Sequence, residues 1–282
     1  MKSSLQIGLS QSDWAVLKMQ RGSRATVIGS SEKVQTGPAE DLVDRLQSFL
    51  KASSAKNAAN IIVADDQARL WLVTPPVNAG SPQDCRAAVE MRFQSLYGES
   101  SDGWRIEAEW NACHPFLACA IRHELLASLE KMANECELKL VSVMPQFIAA
   151  WNRWCRALKP GAWFGQIHGD GMMLAAMVDG KLQAVRAIAI PADARSNQSW
   201  LADVLEREAL KLNMPMLDRF QFCGELPGGS TRHPVKTLGC ERLDAPLEID
   251  QASRIRPIIG DVITGERVTS PGMTLAATGI RW

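Results

Sequence analysis

The sequence predicts an α/β protein of two lobes, each opening with a β-hairpin and continuing into helices. Three observations carry that expectation. Residues 4–18, SLQIGLSQSDWAVLK, read as two short strands around the polar turn Ser10 to Asp13. Residues 164–191, FGQIHGDGMMLAAMVDGKLQAVRAIAIP, read as two strands joined at Asp179-Gly180, a dipeptide that supplies the positive φ of a tight hairpin turn. Between them Lys159-Pro160-Gly161 interrupts the pattern and marks a boundary. The repeated layout points to a duplicated architecture.

The remaining elements follow in order. Residues 25–36 supply a third strand, broken at Gly29-Ser30-Ser31. Leu42, Val43, Leu46, Phe49 and Leu50 recur at helical spacing, so Glu40 to Ala52 is an amphipathic helix. Ile61-Ile62-Val63 begins a strand, Asp65-Asp66 turns it, and Ala68 to Val73 returns as a hairpin that Pro75-Pro76 ends. Ser81 to Leu96 is a helix with Pro82 in its first turn. Strands over 104–111 and 115–121, a helix over 122–136, a strand over 138–143 and a helix over 145–158 complete the first half. The second half adds a helix over 199–212, a strand over 219–223, a short helix near 233–238, a β-like segment over 241–247 and a closing segment over 275–280.

Composition narrows the function classes. Lys+Arg and Asp+Glu are both 31, so the formal charge is zero. Nucleic acid is not the expected partner, because phosphate neutralisation needs a basic excess. No apolar run is long enough to span a membrane, and the first residues lack the apolar core of a signal peptide. A cytoplasmic location is therefore expected. The seven cysteines form no CxxC pair, so zinc is not expected and the thiols read as small buried hydrophobes. Nine tryptophans against one tyrosine are unusual; most should pack in cores, and some could form a docking surface.

Three stretches together resemble the pilus assembly protein PilM and the cytoplasmic domain of the secretion protein GspL, within the actin/FtsA-like superfamily. Ile7-Gly8-Leu9 followed by Trp14-Ala15-Val16 resembles the opening hairpin. NIIVADDQARLWLVTPP, a helix, then HPFLACAIRHELLASLEKMANECELKLVSVMP resemble a small inserted subdomain and the return from it. VDGKLQAVRAIAIP, LEREALKLNMPMLDRFQFCGELPGG, LGCERLDAP and LAATGIRW resemble the second lobe in order. The resemblance implies an actin-like (ribonuclease H-like) two-lobed fold. The first lobe would cover 1–158, with an inserted α+β subdomain over about 60–140, and the second lobe 159–282.

The resemblance also says where nucleotide chemistry would sit, and there the chain departs from the pattern. The family's first hairpin carries Asp and Gly where this chain has Ser10 and Ser12. The second carries them where this chain has Gln166 and His168. Asp170 lies close by and could serve in a shifted register. The adenosine loop reads Cys223-Gly224-Glu225, keeping one glycine, with Gly228-Gly229 further on. Ser10, Ser12, Gln166, His168 and Gly224 are thus the cofactor-site positions. A hard cation wants carboxylates, and glycine lets backbone N–H groups approach phosphate. Loss of both carboxylates leads to the expectation of no Mg-ATP hydrolysis and no required cofactor or metal.

Other residues invite chemistry less. Cys113-His114 and Cys119 with His123 fit the inserted-subdomain pattern, and Asp65-Asp66 a turn. Glu206, Arg207, Glu208 and Lys211 form a solvated helix face with ion pairs. By resemblance, the partner is the cytoplasmic N-terminal segment of a bitopic inner-membrane PilN-like protein. It would be held in a groove by apolar anchors or strand addition, and Trp14 and Trp71 are the aromatic residues considered for it. A platform ATPase or a second copy are further partners to consider. The expected function is an assembly scaffold for a type IV pilus-like or type II secretion-like platform, peripheral to the inner membrane through its partner. The alternatives are a nucleotide-switched PilM-like protein and a kinase-like enzyme of the same fold using Asp170.

Overall fold

The computed structural model describes residues 3–11, 13–20, 26–30, 39–52, 58–77, 79, 81–178, 181–195, 197, 199–227 and 238–244. The chain forms two compact units, one built on Met1–Asn152 and one on Arg153–Pro246. The closing segment expected over 275–280 and residues 233–237 of the short helix expected near 233–238 lie outside the described residues.

In the first unit, β1 (Ser3–Leu9), β2 (Trp14–Gln20) and β3 (Thr26–Ser30) form an antiparallel meander. Helix α1 (Ala39–Ala52) then carries the chain to β4 (Ala58–Val63), which pairs with β1 in parallel. Leu5, Ile7 and Leu9 of β1 and Ile61, Ile62 and Val63 of β4 are all buried. A strand buried on both faces reads as a continuous apolar run, as Ile61-Ile62-Val63 does. Each such side chain stabilises the unit by about 1.5–3 kcal/mol.

β4 does not turn back as a hairpin. The 3₁₀ turn Asp65–Gln67 leads instead into β5 (Ala68–Val73), which joins a separate three-stranded sheet. That sheet has the order β5-β7-β6, with β6 (Trp104–Ala108) and β7 (Phe116–Arg122) antiparallel. Helix α2 (Pro82–Tyr97) lies against it, burying Cys85, Val89 and Phe93 with Trp71, Trp104 and Phe116. Its start is fixed by a capping box between Ser81 and Asp84, and its end by Gly98 at φ +66°. Helix α3 (His123–Glu135) and β8 (Lys139–Pro145) return the chain to the first sheet, where β8 runs parallel to β4. The first sheet has the order β3-β2-β1-β4-β8.

Helix α4 (Gln146–Trp154) follows, and the division between the units falls within it. The second unit repeats the plan. β9 (Ala162–His168), β10 (Gly171–Val178) and β11 (Lys181–Ala189) form a meander, α5 (Trp200–Lys211) follows, and β12 (Arg219–Cys223) and β13 (Gly239–Arg242) add in parallel. The order β11-β10-β9-β12-β13 matches that of the first sheet strand for strand.

Residues 164–191 thus hold three strands, not the two read from the sequence. The extra reversal is the His168–Gly171 turn, with Gly169 at φ +57°. Asp179-Gly180 lie outside the described residues, and the strands they connect are paired up to Val178↔Lys181. α5 packs Leu201, Val204, Leu205 and Ala209 onto Trp163, Ile167, Leu174 and Phe220. The helix is not solvated along all of its charged positions. Glu208 is buried and draws in Lys211 at 2.8 Å, with Arg207 and Arg186 at 3.9 and 4.0 Å.

Candidate functional site

Parallel strands place the residues after their carboxyl ends along one sheet edge, where open α/β sheets bind ligands. In the first unit Leu9, Val63 and Pro145 end their strands in register. The residues beyond them are Ser10, Ala64-Asp65 and Gln146.

Ser10 is buried in a turn closed by its own polar groups. Its N–H donates to the Asp13 carbonyl at 2.9 Å, and its hydroxyl donates to Asp13 Oδ1 at 2.5 Å. The Asp13 N–H donates to Ser10 Oγ at 3.0 Å. The first hairpin therefore does carry a carboxylate, three residues after the position where the family pattern wants one. The signal was present: Ser-x-x-Asp is a spacing at which short polar side chains cap a turn. Ser12 lies outside the described residues. Trp14 is buried with its ring 5.0 Å from that of Phe49.

Asp65 does more than turn the chain. Its Oδ1 accepts the Phe147 N–H at 2.8 Å, at the start of α4. Burial pushes its carboxyl up to about 7; the Phe147 hydrogen bond opposes the rise and the Asp66 charge adds to it. The neighbouring joint is tied to β1, since Leu9 O accepts the Ala64 N–H at 2.8 Å and Gln67 Nε2 at 3.4 Å.

In the second unit Gln166 and Cys223 are register partners near the ends of parallel β9 and β12. Gln166 is 1 % exposed, and neither Oε1 nor Nε2 has a hydrogen-bond partner among the described residues. Its strand neighbours are Met173 and Cys223. His168 is half-buried at the end of β9, opposite Gly171. Asp170 sits exposed in the turn, its carbonyl accepting the Ile190 N–H at 2.8 Å.

Gly224 stands where only glycine fits. Its φ is +96°, and a Cβ would lie 2.2 Å from the Ile167 carbonyl oxygen. Its N–H donates to Asp244 Oδ1 at 3.3 Å. The buried Asp244 carboxylate is held by Arg242 through two bonds of 2.9 and 2.8 Å. The one glycine kept in the adenosine-loop position thus packs β12 against β9 and meets an internal carboxylate. Gly228-Gly229 lie outside the described residues.

These groups do not fit a magnesium-bound phosphate at the second hairpin. A neutral amide among Met173 and Cys223 offers neither charge nor a hard-oxygen set for a dication. What the position offers is an apolar strand row with one buried amide.

The competing positions carry structure rather than chemistry. Burial, aided by the Glu107 carboxylate, pushes the Cys119 thiol up to about 12, far from a reactive thiolate. The Cys113 and His114 N–H groups bond Asn111 Oδ1 in an exposed loop. Trp71 is buried beside Phe93 and Tyr97, with ring centroids at 5.3 and 6.0 Å. It is core and presents no ring to a partner.

Comparison with known proteins places this geometry in a fold. No protein-family model matches the chain, and comparison with curated proteins finds no match. Solved structures do match. The cytoplasmic domain of EpsL, an inner-membrane component of the type II secretion system of Vibrio cholerae, is similar at TM-score 0.58 and 12 % identity. That match covers 87 % of this chain and 91 % of that one. The PilM-PilN type IV pilus biogenesis complex is similar at TM-score 0.60 and 13 % identity, covering 86 % and 88 %. A Bacteroides thetaiotaomicron protein with an actin-like ATPase fold is similar at TM-score 0.60 and 10 % identity, covering 86 % and 91 %. The chain has the actin-like fold, and the resemblance to PilM and GspL holds at the level of that fold.

Proposed function

We propose that this protein is an assembly scaffold of a type IV pilus-like or type II secretion-like inner-membrane platform. It docks on the cytoplasmic N-terminal segment of a bitopic PilN-like protein and works without ATP hydrolysis. The observation that carries the reading is the similarity, over more than four-fifths of the chain, to both EpsL and the PilM-PilN complex. Fold alone hosts many functions. What favours a scaffold within it is the chemistry at Gln166. Phosphoryl transfer depends on positioning and on charge neutralisation by metal, and this position supplies neither.

Among the described residues no helix is long and apolar enough to cross a membrane. Membrane attachment through a partner is consistent with that. The test is affinity capture of a PilN-like N-terminal peptide by the purified protein, with a scrambled peptide as control. Retention of the native peptide alone supports the reading; equal retention of both, or of neither, removes it.

A further inference from the structure

The inserted sheet gathers two arginines and two aromatic rings at the end of α2. Arg69 of β5 lies opposite Ala120 of β7, and Trp104 of β6 lies opposite Arg122 of β7. Side chains alternate between faces along a strand, so Arg69, Trp104, Ala120 and Arg122 share one face. It is the face that α2 covers, since Ala120 and Trp104 belong with Phe93 to the core beneath that helix. Tyr97, the last residue of α2, packs against the same core.

Both guanidinium groups rest on rings that cannot easily move. The Arg69 guanidinium carbon is 5.3 Å from the ring centroids of both Tyr97 and Trp104, and that of Arg122 is 4.5 Å from Trp104. Tyr97 donates its hydroxyl to Leu70 O at 3.0 Å. Trp104 is buried, and its Nε1–H donates to Glu99 Oε2 at 3.2 Å. Cations within about 6 Å of a ring centroid are held there by the ring quadrupole.

The two arginines share a single carboxylate, and share it loosely. Arg122 Nη2 is 3.4 Å from Glu99 Oε2, and Arg69 Nη2 is 3.7 Å from Glu99 Oε1. Both distances are long for charge-assisted bonds, and neither arginine makes the bidentate grip that a guanidinium gives a carboxylate. Among the described residues Arg69 Nε has no partner. The neighbouring charges are engaged elsewhere. Arg105 and Glu107 pair with each other at 2.8 Å, and Asp102 takes the Ser100 hydroxyl at 2.8 Å.

We propose that Arg69, Trp104 and Arg122 form a docking site for an acidic segment of a partner protein. A carboxylate of the partner takes the half-exposed fork of Arg122, and Glu99 moves over to Arg69. Carboxylate is the ligand chemistry because the site already holds one, weakly, in Glu99. Trp, Tyr and Arg dominate binding energies at protein interfaces, and guanidinium groups positioned in advance lose little freedom on binding. The site goes beyond the PilN-like docking above, since it specifies an acidic ligand and needs no PilN-like segment.

The test is an NMR titration of the full-length protein with hexaglutamate, read at the Trp104 indole N–H, with hexalysine and inorganic phosphate as comparisons. Hexaglutamate should shift that signal saturably, hexalysine should not, and phosphate should do so only at far higher concentration. Arg122→Gln should weaken hexaglutamate binding about tenfold, the loss of one charge-assisted pair. Glu99→Gln removes the competing carboxylate and should tighten binding about tenfold, a gain that a merely structural Glu99 would not give. No shift with hexaglutamate, unchanged affinity in Arg122→Gln, or no gain in Glu99→Gln overturns the proposal. Phosphate binding as tight as hexaglutamate assigns the site to small anions and also overturns it. The native titration decides even if a variant does not fold, and its failure leaves the PilN-like docking untouched.

Discussion

Replacing Gln166 with methionine should make the protein more stable. The side chain is 1 % exposed, and both amide atoms lack a partner among the described residues. A buried polar group left unsatisfied costs about 1–3 kcal/mol, and replacing it with an apolar group of the same shape removes that cost. Methionine is close to glutamine in length and volume, and near-isosteric swaps in a core cost under about 1.5 kcal/mol. With two unpaired atoms against one repacking cost, the net should be a gain of about 1–3 kcal/mol. At roughly 2–8 °C per kcal/mol, the transition of the second unit should move up by several degrees in scanning calorimetry. A loss of more than 1 kcal/mol would refute the reasoning, because it would mean that the amide has partners that stabilise it. Gln166→Asp is the matching contrast. An unpaired carboxylate beside Met173 and Cys223 should cost several kcal/mol at pH 7, and added magnesium should not restore the loss.

Further outcomes follow from the same geometry. Gly224→Ala should destabilise the second unit by more than about 1–3 kcal/mol, since strain at φ +96° is joined by a clash with Ile167; thermal melting reads it. Asp244→Ala should cost about 1–3 kcal/mol in urea unfolding, because it removes the buried acceptor of the Gly224 N–H and the Arg242 ion pair. Asp65 should also set a pH dependence. Its folded-state carboxyl lies about three units above its unfolded value, so stability is highest below about pH 4 on this account alone and declines through about pH 7. The full decline is at most about 4 kcal/mol, and Asp65→Asn should abolish it in denaturation series at several pH values.

Much of the fold was legible because each lobe announces itself with an apolar alternation and a turn. The helices at 39–52 and 123–135 were legible from apolar spacing, and the one at 82–97 from Pro82 in its first turn. Pairing partners were less visible. Asp65-Asp66 has the look of a hairpin turn, yet β4 pairs with β1 and β8, and β5 with β7, because partner choice is tertiary rather than local. The His168–Gly171 turn was legible as well, because Gly169-Asp170-Gly171 is a turn signal of the same kind as Asp179-Gly180; only one of the two was read as a reversal.

The positions Gln166, His168 and Gly224 were reached by resemblance. Their physical character was not legible. Nothing in the sequence separates a hydrogen-bonded glutamine from an orphaned one, or shows that Gly224 abuts Ile167 and meets Asp244. Glu208 makes the same point, since an exposed-looking charge pattern on α5 conceals one buried acid. Asp13 is legible in the sequence, because Ser10-x-x-Asp13 is a local capping pattern.

In the proposed role partner docking is the function and nucleotide is dispensable to it. The most direct measurement is a calorimetric titration of the full-length protein with a PilN-like N-terminal cytoplasmic peptide, run with and without Mg-ATP. Saturable binding with the same Kd in both, and no phosphate release, is the expected result. Binding that requires Mg-ATP, or peptide-stimulated hydrolysis, would contradict it and place the protein among nucleotide-switched assembly factors.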